Sequence, residues 1–219
     1  MSFLKRKNHE KIFCISIQRT GTTSTGQFFK DHDYKVATWG TSSKNNWGLK
    51  YFSGDYNGIL KSRAFKANQV FEDGPWWVGD FYKYLYHLFP YSKFILLERD
   101  PDKWFDSMVS HSKGKTLGNA YRHCIIYGRE NEVSNNEIVC KDAYSASINN
   151  LLELNEEHRD HYKRIYVNKN RAVKLFFEFH DPNRLFTCRL EDPNLWQKMG
   201  RYFNIDVEDN YRVHSNRSL

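Results

Sequence analysis

Several things are missing from this chain of 219 residues, and each absence narrows what it does. No run approaches the roughly 20 apolar residues that span a bilayer, so stable membrane insertion is not expected. The opening MSFLKRKNHE carries charge but no apolar core, so it does not read as a secretion signal. Without one, the Asn216–Arg217–Ser218 sequon is discounted, and a soluble, cytoplasmic protein is expected. The four cysteines, Cys14, Cys124, Cys140 and Cys188, form no C-x-x-C pair, which argues against a zinc site or a disulfide framework. A bridge from Cys124 to Cys140 stays open, and Cys14 reads as a small core residue. No block of five or six like charges occurs, so a nucleic-acid-binding tail is not expected. No internal repeat or linker divides the chain, which points to a single domain over residues 1–219.

What is present favours a globular protein with an anionic ligand. Hydrophobic residues make up 40% and aromatic residues 16%, enough for a core and for pockets that hold flat rings. Lys and Arg number 33 against 26 Asp and Glu, a formal net charge of +7. That balance suits an anion, although the basic residues are scattered and many only solvate the surface.

The chain is organised around residues 11–30, KIFCISIQRTGTTSTGQFFK. Lys11–Ile17 reads as a buried strand, Gln18–Thr23 as a tight turn, and Thr22–Lys30 as a helix with Phe28 and Phe29 on its apolar face. A helix start after a glycine turn presents backbone N–H groups and the positive end of the helix dipole to an anion. Thr20, Thr22, Thr23 and Ser24 add hydroxyls, Gly21 the turn, and Arg19 a cation. A Thr-rich helix cap is the plainer reading. The triphosphate-binding pattern G-x-x-x-x-G-K-[ST] is not met: the lysine before the hydroxyl residue is missing, and the cation precedes the glycine.

Further on, Tyr34–Ala37 is a candidate short strand, and residues 38–58 have loop composition. Trp39, Trp47, Tyr51 and Phe52 in that stretch either line a pocket or cover the core. The pattern then predicts a helix over Ile59–Ala67, a strand over Asn68–Glu72, a helix over Trp77–Leu88 and the strongest strand at Ser92–Glu98. Asp100 as N-cap and Pro101 at the first helical position start another helix. Helices are expected over Leu117–Tyr127, Lys141–His158, His161–His180 and Pro193–Tyr202, with a polar loop at 128–140 and a last strand at Arg184–Cys188. Strands alternating with helices imply an α/β three-layer sandwich with a central parallel sheet. Ligands of such sheets bind beyond the carboxyl ends of the strands, where Gln18–Ser24, Glu72–Trp76 and Arg99–Ser107 all fall.

Arg99 ends a strand and Ser107 follows about two helical turns later, so both can face one anion. The plainer alternative pairs Arg99 with Asp100 or Asp102 and leaves Ser107 at the surface. Taken together, RTGTTS and FILLERDPDKWFDS resemble the 5′-phosphosulfate loop and the 3′-phosphate motif of sulfotransferases that use 3′-phosphoadenosine 5′-phosphosulfate. The segments VFEDGPWWVGDFYKYLYHLFPYSKFILLERDPDKWFDSM, NRLFTCRLEDPNLWQKMGRYFNIDV and YRVHSNRS are similar, in order, to a branch with Asp-x-Pro and Arg-Asp-Pro-x-x-Trp elements.

That resemblance implies a P-loop nucleotide-hydrolase-like fold and sulfuryl transfer to a hydroxyl or amine of a small-molecule or carbohydrate acceptor. It implies no metal and no nucleic-acid partner. Arg19, Thr20, Gly21, Thr22, Thr23 and Ser24 would hold the 5′ end of the cofactor, and Arg99 and Ser107 its 3′-phosphate. Arg217 is a weaker candidate for that phosphate. Arg19 would also neutralise the leaving group, and Asp73, aligned with the Asp-x-Pro element, would be the base. Glu72 is the fallback, followed by His87 and His111. A nucleotide kinase or NTPase lacking the usual lysine, and a non-catalytic anion-binding protein of the same fold, are the alternatives.

Overall fold

The computed structural model describes residues 11–134 and 152–213. In chain order the elements are β1 (Ile12–Cys14), α1 (Thr22–Asp31), β2 (Val36–Ala37), α2 (Trp39–Lys44), α3 (Trp47–Phe52), α4 (Tyr56–Leu60), α5 (Arg63–Ala67) and β3 (Val70–Phe71). They continue with α6 (Phe81–Leu88), β4 (Lys93–Glu98), α7 (Pro101–Ser112), α8 (Ala120–Tyr127), α9 (Glu130–Ser134), α10 (Arg159–His180), β5 (Leu185–Arg189) and α11 (Leu195–Phe203). The strands form one all-parallel sheet in the order β2-β3-β1-β4-β5, as the alternation of strands and helices predicts.

Side chains along a strand point alternately to the two faces, and this sorts the core into layers. Phe13, Ile15, Phe71, Phe94 and Leu96 pack with α6 (Phe81, Leu85) and α10 (Val173, Phe177). Ile12, Val70, Ile95 and Leu97 pack with α1 (Phe28, Phe29) and α11 (Trp196, Met199). A third cluster around Trp104, Phe105, Tyr127, Tyr162 and Tyr166 joins α7, α8 and α10. β4 is buried on both faces, which explains its continuous apolar run.

The first strand is shorter than Lys11–Ile17. The Ile15 amide still donates to the Ile95 carbonyl at 2.9 Å, after which the backbone leaves the sheet and the Ser16 hydroxyl takes over its pairing. It donates to the Ile95 carbonyl at 3.2 Å and accepts from the Leu97 amide at 2.7 Å. The chain therefore parts from β4 at their carboxyl ends and opens a crevice there, at the point where connections diverge to the two sides of the sheet.

Residues 38–58 are not a loop but carry α2, α3 and the start of α4. Asn45, Asn46, Ser53 and Gly54 fall between these helices, while Gly40, Ser42, Ser43, Gly48, Asn57 and Gly58 lie inside them. Thr38 and Thr41 form a capping box before α2, Asn46 is left-handed (φ 53°) between α2 and α3, and Asp55 caps α4 through the Gly58 amide. Helices this short do not persist alone; burial of Trp47, Ile59 and Phe65 holds them. Ser62 likewise breaks Ile59–Ala67 into α4 and α5. Trp77–Asp80 is turn rather than helix, α8 begins at Ala120 behind its Asn119 cap, and 128–140 includes α9.

Of the expected helix Lys141–His158, residues 152–158 are instead extended and then a 3-10 turn, because Leu152 and Leu154 pair with Thr116 and Gly114. The rest of that helix, Cys140 and Arg217 lie outside the described residues. Cys14, Cys124 and Cys188 are free thiols.

Candidate functional site

The turn after β1 has an unusual backbone. Arg19 (φ 69°) and Gly21 (φ 86°) are both left-handed. Gly21 also has no room for a side chain, since an added Cβ would stand 2.6 Å from Leu190 Cδ1. Gly21 is the N-cap of α1, with no side chain capping that end and no acidic residue in the first turn. The orphan amides of the first turn and the helix dipole thus suit an anion. The hydroxyls divide their work. Thr20 is buried and donates to the Ile17 carbonyl at 2.5 Å, and Thr25 donates to the Gly21 carbonyl at 3.0 Å. Both therefore brace the turn. Thr22 and Ser24 are buried and Thr23 is exposed. Trp104 Nε1 donates to the Gln18 carbonyl at 3.0 Å, and Gln18 Nε2 donates to the Tyr127 hydroxyl at 3.1 Å, tying the turn to α7 and α8.

The two motifs meet directly. Arg19 Nε donates to Ser107 Oγ at 3.2 Å across 88 residues of sequence. Ser107 is buried on the inner face of α7. Burial, and then the nearby charge of Arg99, lower the Arg19 pKa. Arg99 pairs with neither Asp100 nor Asp102. Its Nε lies 3.6 Å from Glu191, and Tyr166 holds its backbone by accepting from the amide and donating to the carbonyl. Asp100 instead caps α7, and Asp102 pairs with Arg159 and Lys163. Two guanidinium groups held near each other at a crevice favour an anion beside them.

On the other side of β1, β3 ends in Glu72 and Asp73. Asp73 is left-handed (φ 66°), and its Oδ1 accepts from the Gly74 amide at 2.8 Å. Burial raises its pKa, opposed by the Gly74 amide and the Trp77 indole. Glu72 is buried under α1, where an added Cβ on Gly26 would stand 2.9 Å from Glu72 Cγ. Its Oε2 has no hydrogen-bond partner. Burial, reinforced by the charge of Asp73, pushes Glu72 up to about 7.

This shift makes stability depend on pH. Because the folded pKa lies above the unfolded one, the native state holds more protons between the two values. Stability therefore falls as pH rises from about 4.5 to about 7, by on the order of 3 kcal/mol if Glu72 acts alone. Glu72→Gln is expected to flatten this slope and to raise the melting temperature at pH 8 but not at pH 5. A variant that follows the wild-type curve in a pH series of thermal melts rules this account out.

Asp73 and Gln18 line a cavity of about 330 Å³ next to the turn, at the small end of the usual range for small-molecule sites. Its walls come from α2, α3, the Gly74–Val78 turn and α8. Trp39 and Phe52 line it, whereas Trp47 is wholly core and Tyr51 donates to the Val78 carbonyl against that core. Arg122, Ser42, Asn46 and Asn119 also line it and carry no motif in the sequence. Only the N-cap of Asn119 marks this region locally.

His87 packs among Tyr86, Phe176 and His180 on the far side of α6. His111 is exposed one turn beyond Ser107, its pKa lowered by burial and then by Arg19. Among the described residues, no group of three His, Cys, Asp or Glu side chains is placed to hold a metal ion, and no helix is long and apolar enough to cross a membrane.

Comparison with known proteins finds no curated protein that matches the chain. A family model does match, over residues 11–217, and it spans the turn, the Glu72–Asp73 end of β3 and the Arg99–Ser107 segment. On that match the chain belongs to the sulfotransferase domain family.

Proposed function

We propose that this protein transfers a sulfuryl group from 3′-phosphoadenosine 5′-phosphosulfate to a hydroxyl or amine of a small-molecule or carbohydrate acceptor. The observation that carries this reading is the Arg19–Ser107 hydrogen bond with Arg99 beside it. It joins the turn at α1 to the middle of α7, as a donor bearing phosphate at both its 5′ and 3′ ends requires. The donor set fits such a ligand: an uncapped helix end, hydroxyls and two guanidinium groups, all suited to phosphate oxygens.

When bound, the donor supplies a sulfuryl group on a 5′-phosphate leaving group. The chain's own residues position and neutralise. The amides of the first turn of α1, with Gly21, Thr22, Thr23 and Ser24 around them, hold 5′ phosphate charge. Arg19 offsets the negative charge that develops on the leaving oxygen. Arg99 and Ser107 hold the 3′-phosphate. Thr20 keeps the turn closed by its bond to Ile17 and offers its amide. Asp73, at the inner wall of the cavity, takes the proton from the acceptor hydroxyl or amine. Its raised pKa makes it a better proton acceptor once ionised, so transfer falls as pH drops through that value.

The test is a comparison of thermal stabilisation by 3′-phosphoadenosine 5′-phosphate, ATP and AMP. A ligand at about 100 times its Kd adds about 2.7 kcal/mol to the folded state. Selective stabilisation by the first, without added metal, is expected. Preference for ATP with a divalent cation would instead favour a nucleotide kinase. Selective binding of the first without transfer to any acceptor would favour a binding protein.

A further inference from the structure

The cavity beside the turn has opposite charges in its wall. Among the described residues, its one lining carboxylate is Asp73, and its one lining guanidinium is Arg122 on α8. The remaining walls are neutral, with Trp39, Phe52, Trp77 and Ile126 providing apolar surface. Resting on the sulfotransfer reading of the site, we infer that the acceptor carries an anionic group, a carboxylate in the simplest case, which Arg122 binds while the reacting hydroxyl meets Asp73.

The argument rests on how the other buried or half-buried arginines are used. Arg129 is paired with Glu132, and Arg184 donates to the carbonyls of Tyr86, Phe89 and Ser92. Arg159 is held by Asp102, Asp106 and Glu156, and Arg99, whose buried Nε also makes no hydrogen bond, still has the Glu191 carboxylate 3.6 Å away. Arg122 has no such arrangement among the described residues. Its Nε is buried with no hydrogen-bond partner, and no carboxylate pairs with it. Burial alone lowers its pKa. A cation taken out of water without a partner is costly, and an anion entering the cavity offsets that cost.

The backbone makes room for it as well. An added Cβ on Gly48 of α3, across the cavity, would stand 2.7 Å from Arg122 Nη1. The guanidinium therefore packs against a glycine in the cavity wall. The volume of about 330 Å³ and the aromatic walls suit one flat ring bearing the hydroxyl and the anion at opposite ends.

Calorimetric titration with 4-hydroxyphenylacetate and with its methyl ester tests this, in excess 3′-phosphoadenosine 5′-phosphate, on wild type, Arg122→Gln, Arg122→Lys and Gly48→Ala. Wild type is expected to bind the acid roughly tenfold more tightly than the ester. Arg122→Gln is expected to abolish that preference. Arg122→Lys should keep part of it, because the charge survives without the fork. Gly48→Ala should reduce it by displacing the guanidinium with the charge intact. Equal binding of acid and ester by wild type, or an undiminished preference in Arg122→Gln, overturns the inference. Titration of 3′-phosphoadenosine 5′-phosphate alone on the same samples reads the donor assignment separately: its failure beside an intact charge preference overturns the donor and supports the role of Arg122.

Discussion

Arg19→Ala is expected to weaken binding of 3′-phosphoadenosine 5′-phosphate by about 100-fold or more, measured by calorimetry. Removing a half-buried, hydrogen-bonded charge from a binding site costs roughly 2–5 kcal/mol. Arg19 donates to Ser107, so the substitution removes a cation from the turn and also strips the second phosphate site of its neighbour. Both residues at position 19 face the same left-handed backbone (φ 69°), and the loss therefore reads the side chain and not the turn. Arg99→Ala should act in the same direction, with the added effect of leaving Glu191 without its partner. Arg19→Lys retains charge but not the planar fork, and an intermediate loss is expected. Unchanged affinity in both alanine variants would remove the cofactor assignment.

Asp73→Asn should separate binding from chemistry. Asparagine tolerates the left-handed backbone that Asp73 adopts (φ 66°), and its side-chain oxygen can still accept from the Gly74 amide. The fold and cofactor affinity should therefore survive, while transfer drops by roughly 10²–10⁴-fold through loss of the base. The remaining activity should no longer show the acid limb that the raised carboxyl pKa imposes on wild type. Wild-type turnover in this variant would remove Asp73 as the base. Glu72→Asn on the same assay locates the effect, since Glu72 lies under α1 and does not line the cavity.

Much of this architecture was legible residue by residue. The apolar run Phe94–Leu97 has one low-energy fate, a parallel strand covered on both faces. Asp100–Pro101 starts α7 by local chemistry alone, the carboxylate accepting from the Asp102 and Lys103 amides. The turn after β1 needs a glycine at position 21 whatever lies around it. Residues 38–67 misled for a physical reason. Cap residues and loop residues are the same amino acids, and α2 to α5 are too short to leave a periodic trace; distant aromatic packing stabilises them. The four aromatics of that stretch show the same limit. Trp39 and Phe52 face the cavity and Trp47 faces the core, and only the path of α2 and α3 decides which.

The sequence by itself determined the local devices: a strand leading into an uncapped helix start, a cation before the glycine, an arginine eight residues ahead of a serine on a capped helix, and a carboxylate pair where β3 ends. These follow from backbone sterics and short-range hydrogen bonding, which act within a few residues. Only the tertiary structure brought Arg19 onto Ser107 and set Asp73 and Arg122 in the wall of one cavity. Those encounters depend on how β1, β3 and β4 pair and on how α8 packs over the open end of the sheet. Neither the Arg19–Ser107 bond, 88 positions apart, nor the shared cavity of Asp73 and Arg122 leaves a periodic mark on either segment.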